Sequence, residues 1–107
     1  MARAHFIGKL NENLRLVDKA TQRYTSGVWD VSEKTAQQLV GGYIFLHKTK
    51  AQPSFFGGIV HSFRVVSTDF AHAERIEFEV ESRAEAKHKP WSGNSGARDW
   101  WGGLITD

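Results

Sequence analysis

The order of breaks between Tyr24 and Val66 does most to limit what this chain can become. A turn-like Thr25-Ser26-Gly27 leads to Trp29, and a stretch with helical spacing then stops at Gly41-Gly42. An apolar run from Tyr43 to Lys48 follows. After a loop at Pro53-Ser54, a second glycine pair, Gly57-Gly58, opens another run that ends near Val66. The segment reads as aromatic residue, short helix, glycine turn, strand with a polar tip, loop, glycine pair, strand. It brings Trp29, His47, Lys48 and Ser54 toward one expected concave site.

The elements follow from periodicity. Asp30 and Glu33, three residues apart, form a capping-box-like helix start. Ala36, Leu39 and Val40 recur on one face, and Glu33, Lys34, Gln37 and Gln38 lie on the other. Gly41-Gly42 supply the left-handed backbone that helix ends use. Tyr43–Lys48 is aromatic and β-branched, too short for a buried helix, and apolar on both faces, which predicts a central strand. Arg75 to Glu81 alternates cleanly, with Ile76, Phe78 and Val80 inward and Arg75, Glu77, Glu79 and Glu81 outward. Ala4–Lys9 and Leu14–Val17 are expected as further strands, Lys87–Arg98 as a loop and Trp100–Ile105 as a last strand. Several strands and one clear helix predict an α+β, mainly β fold: a small curved sheet or β-barrel with one or two short helices.

At 107 residues the chain is read as a single domain, 1–107, long enough for its own core. It has no cysteine, so neither a disulfide framework nor a thiolate metal site is available. No apolar run reaches the roughly 18–20 residues of a membrane span, and Met1–Phe6 lacks the long apolar stretch of a secretory signal. A cytoplasmic protein with no membrane partner is expected. The formal charge is +2 and the pI about 9.1, compatible with a polyanionic partner without requiring one. The distribution is more informative: Lys34, Lys48, Lys50 and Arg64 have no acid among them, and carboxylates concentrate at Glu74, Glu77, Glu79, Glu81 and Glu85.

Several residues have the chemistry to hold a flat, charged ligand. Trp29 offers a rigid stacking face, or alternatively a core ring at the helix start. His47 ends a buried strand and can donate or accept a hydrogen bond; Lys48, Lys50 and Arg64 suit phosphate. Ser54 offers a hydroxyl, Phe56 a ring, and Gly57 and Gly58 a closely approachable backbone. Trp91 lies in a polar loop between Pro90 and Ser92, and is the expected ligand contact among the tail tryptophans Trp91, Trp100 and Trp101. His5, His47, His61, His72 and His88 lack tight metal-ligand spacing, and no phosphate-loop, nucleophile-elbow or dinucleotide motif occurs. No cofactor or metal is expected, and the oligomeric state stays open.

Gly27-Val28-Trp29, Ala36-x-x-Leu39, Gly42-x-Ile44-x-Leu46-His47, Gly57-Gly58-Ile59-Val60 and Arg64-Val65-Val66 together resemble the PUA-like superfamily, especially its EVE- and ASCH-type branches. The likeness runs from Gly27 to Val66. It departs at Asp30-Val31, where EVE-type domains often carry an Arg-Asn pair, and in the tryptophan-rich tail. The resemblance implies a small β-barrel recognising a nucleobase, often modified, in RNA or DNA, with Trp29, His47, Lys48 and the Ser54–Gly58 loop lining the pocket. The expected function is a non-catalytic module binding nucleic acid or a nucleotide-like molecule. The alternatives are an ASCH-like hydrolase of a modified nucleoside, using a lysine and a carboxylate, and a protein-interaction module built on the tail.

Overall fold

The structure, a computed structural model, describes residues 2–7, 14–29, 31–49, 51–67, 74–90 and 101–106. Its elements are β1 (Ala2–Ile7), β2 (Leu14–Asp18), β3 (Arg23–Trp29), α1 (Glu33–Leu39), β4 (Tyr43–His47), β5 (Phe56–Ser67), β6 (Glu74–Ser82) and β7 (Trp101–Thr106). A 3-10 turn covers Ala84–Ala86. The strands form one mixed sheet in the order β2-β3-β6-β5-β4-β1-β7. Among the described residues only β1 and β4 pair in parallel, with His5 opposite Phe45 and Ile7 opposite His47. The mainly β expectation holds, as a sheet and not as a barrel: among the described residues no ladder joins β2 to β7. β4 is central, between β5 and β1, as its two apolar faces predict.

The segment at 25–27 is strand where a turn was expected. β3 pairs with β6 from Arg23 to Ser26 and again at Trp29, with a register shift between. An extra residue there turns Ser26 and Trp29, three positions apart, toward the same side. Gly27 makes the irregularity possible, because a Cβ at that position would lie 2.8 Å from the Ile76 carbonyl oxygen.

Helix α1 is capped by Ser32, whose Oγ accepts from the Thr35 N–H at 3.1 Å. The expected cap, Asp30, lies outside the described residues. Ala36 and Leu39 are buried, but Val40, expected beside them, is 44% exposed. It follows the last helical residue and has already turned to extended backbone (φ −61°, ψ 127°), so the helical phase no longer applies. Gly41 then takes the left-handed conformation (φ 85°) that stops the helix.

One face of the sheet carries the core. Ala4, Phe6, Ile44, Leu46, Phe56, Val60, Ile76, Phe78 and Val80 pack with Trp29 and with Ala36 and Leu39 of α1. Phe6 stacks on Trp29 at 4.6 Å. Each such ring or branched side chain contributes roughly 1.5–3 kcal/mol on full burial, so this layer dominates stability. The opposite face, where His5, Tyr43, Phe45 and His47 project, is covered at one end by a strap, the segment 83–90.

Candidate functional site

The strap is fastened at two points. The Arg83 N–H donates to the Gly57 carbonyl at 3.0 Å, and Ala86 sits directly over Gly57, where a Cβ would come within 2.7 Å of the Ala86 Cβ. Glycine at 57 is therefore what allows the strap to touch the sheet. Ser54 fastens the other end. Its N–H donates to the Lys89 carbonyl at 2.8 Å, its carbonyl accepts from the His88 N–H at 2.7 Å, and its Oγ donates to the Ala86 carbonyl at 2.8 Å while accepting from the Lys89 N–H at 2.9 Å. His88 adopts a left-handed backbone (φ 63°), a conformation uncommon outside glycine.

Beneath the strap lies a buried pair of imidazoles. The His47 Nδ1 is 2.9 Å from the Gln52 carbonyl, which can only accept, so Nδ1 carries the proton. The neutral His47 ring then accepts at Nε2, 2.7 Å from His5 Nδ1, which must donate. His5 is 2% exposed and His47 fully buried. Burial pushes the His5 pKa down from 6.5 to about 4, helped by His47 and by the Arg3 guanidinium. Burial also lowers His47, against the opposing Gln52 hydrogen bond. Both rings are thus neutral at pH 7. They continue an aromatic row, with His5 stacked on Phe45 at 4.7 Å and Phe45 on Tyr43 at 5.9 Å.

Two hollows flank the strap. One, about 280 Å³, is lined by Arg3, His5, Phe45, Lys89 and Pro90. The other, about 220 Å³, is lined by Lys48, Gln52, Pro53, Ser54, Phe55 and His88. Neither lining includes a carboxylate among the described residues. Two further hollows, of about 210 and 330 Å³, both include Arg64 and Glu77, and the smaller adds Glu79. Lysine and arginine line the two strap-side hollows, while the strap itself carries Glu85 paired with Arg83 at 2.9 Å, and the β5–β6 hollows mix both signs.

The expected site residues do not converge. Trp29 is 4% exposed in the core, its Nε1–H donating to Ser26 Oγ at 3.1 Å, while His47 lies on the opposite face of the sheet. The register shift beside Gly27 turns the indole inward, so Trp29 and His47 share no hollow. Phe56 is a core ring, edge-on to Tyr24 at 4.9 Å. Gly57 and Gly58 are closed over, by Ala86 and by the Glu81 backbone respectively. Arg64 donates through Nε to Glu77 at 2.6 Å, and Arg23 pairs with Glu79 at the same distance. The basic and acidic segments seen in the sequence are in this part cross-strand partners that offset each other. Lys48 and Ser54 do meet, at the second hollow, although the Ser54 hydroxyl is spent on the strap. Lys50 and Trp91 lie outside the described residues.

Sequence reasoning missed Arg3, His5, Phe45 and Lys89. A usable signal existed in β1, where Arg3 and His5 alternate with apolar Ala4 and Phe6. Compared with protein-family models, with curated proteins and with solved structures, the chain gives no match.

Proposed function

We propose that the protein is a binding module for nucleic acid or a nucleotide, and that the hollow between Arg3, His5, Phe45, Lys89 and Pro90 takes one base with its phosphate. One observation carries the reading: aromatic rings and two cationic side chains, Arg3 and Lys89, line the same hollow. A flat ring meets the edge of the buried Phe45–His5 stack and the Pro90 ring, and a phosphate meets the guanidinium of Arg3 and the ammonium of Lys89. Of the two imidazoles only His5 lines the hollow, and His47 acts by holding the His5 ring in place. The PUA-like resemblance points to the same ligand class but to other residues, since Trp29, which it places in the pocket, is a core ring, and Ser54 serves by fastening the strap. Binding is favoured over hydrolysis because a lysine-with-carboxylate mechanism finds no carboxylate lining either strap-side hollow among the described residues.

Titration calorimetry with mononucleotides at low and high salt tests the proposal. Affinity is expected to fall with salt, and Lys89→Ala to weaken binding about fivefold, on the order of 1 kcal/mol. Lys34→Ala, an exposed helix position away from the hollow, is expected to change nothing. Equal binding by both variants would refute the site.

A further inference from the structure

The two hollows beside the strap repeat one chemical composition. Each has a phenylalanine, a proline, a histidine and a lysine: Phe45, Pro90, His5 and Lys89 in the first, Phe55, Pro53, His88 and Lys48 in the second. They are also adjacent. His88 of one neighbours Lys89 of the other, and β4 carries Phe45 to one hollow and leads directly to Lys48 at the other. Two or three residues of extended chain span roughly 7–10 Å, the scale of one nucleotide to the next. Each hollow is smaller than the roughly 300–1,000 Å³ typical of sites that enclose a whole small molecule. Two small, like, adjacent sites fit successive units of a polymer better than one compact ligand.

Resting on the nucleotide reading above, we infer that the ligand is a single-stranded polynucleotide, and that Lys48 and His88 form a second subsite for the neighbouring nucleotide. A single strand is required because aromatic and proline walls engage base faces, which a duplex keeps stacked on one another. Ser54 joins the two subsites mechanically, since it holds both His88 and Lys89 through the backbone. The ligand chemistry is shared by RNA and DNA.

The test titrates the full chain, its Lys48→Ala variant and its Lys89→Ala variant with a mononucleotide, the matching dinucleotide and a short single strand, each as ribo and deoxy forms. Both lysines are exposed, so the substitutions leave the core untouched. The dinucleotide is expected to bind about tenfold more tightly than the mononucleotide. Lys48→Ala should remove most of that gain and lower the salt slope for the single strand by roughly 0.7. Ribo- or deoxy-selective binding, or equal binding of both, identifies the source and supports the inference. A dinucleotide no tighter than the mononucleotide, a Lys48→Ala variant that binds it normally, or preference for an acidic peptide over the strand would overturn the second subsite. Failure of the underlying reading looks different: Lys89→Ala would then leave even mononucleotide affinity intact.

Discussion

His5 and His47 show how a buried polar pair can be held neutral. Each imidazole takes up a proton less readily in the folded chain than in the unfolded one, for burial disfavours the charged form. Between pH 6.5 and about 4 the unfolded state therefore binds more protons, and stability falls as pH falls through that window. For His5 alone the loss between pH 7 and pH 5 is roughly 2 kcal/mol, with His47 adding in the same direction. Urea unfolding at these two pH values reads it directly, above the range where most carboxylates titrate. A flat stability across the window would mean that the pair is not desolvated as described. Trp29 makes the opposite case, of a residue with ligand-binding chemistry used for packing. Trp29→Ala is expected to cost about 3–5 kcal/mol in denaturant unfolding, while Trp29→Phe leaves nucleotide affinity unchanged. A large affinity loss in the phenylalanine variant would return the indole to the site.

At the scale of elements, the strap at 83–90 determines whether the cationic hollows exist, and Ser54 is its main fastening. Ser54→Ala removes the donor to the Ala86 carbonyl and the acceptor for the Lys89 N–H, at an expected cost of about 1–3 kcal/mol for groups left unpaired. The strap is expected to loosen before the sheet does. Amide hydrogen exchange at Lys89 should then accelerate, with exchange in β5 and β6 unchanged. Uniform acceleration across all three would assign Ser54 to global stability instead. The helix shows a similar division of labour. Gly41 has open space around it and is needed for its left-handed φ of 85°, whereas a Cβ on Gly42 would come within 2.0 Å of the Ala2 carbonyl oxygen.

For the whole molecule, what the sequence revealed depended on whether the information was local. The alternation from Arg75 to Glu81 gave β6 and its inward face correctly, because a two-residue period is visible within one strand. The glycine stop after α1 was equally legible, since the left-handed conformation needs that residue type. The direction of Trp29 was not legible, because it turns on a register shift set by the pairing of β3 with β6. Nor was the His5–His47 contact, which joins residues 42 apart through the parallel pairing of β1 with β4. Of the strap, only the part from Lys87 on was read, as a loop, although the hydrogen bonds of the strap to Ser54 and Gly57 create the hollows. Among the described residues no helix is long and apolar enough to cross a membrane. Helix and core lie on one face of the sheet, and the proposed site is on the other.

The proposed site is tested most directly by mapping amide chemical-shift changes across the ¹⁵N-labelled chain as a mononucleotide is added. Shifts are predicted at Arg3, His5, Phe45 and Lys89, with Trp29, Thr25 and Arg64 unmoved. Shifts centred on Thr25, Arg64 and Glu77 instead, or none anywhere at saturating nucleotide, would contradict the account.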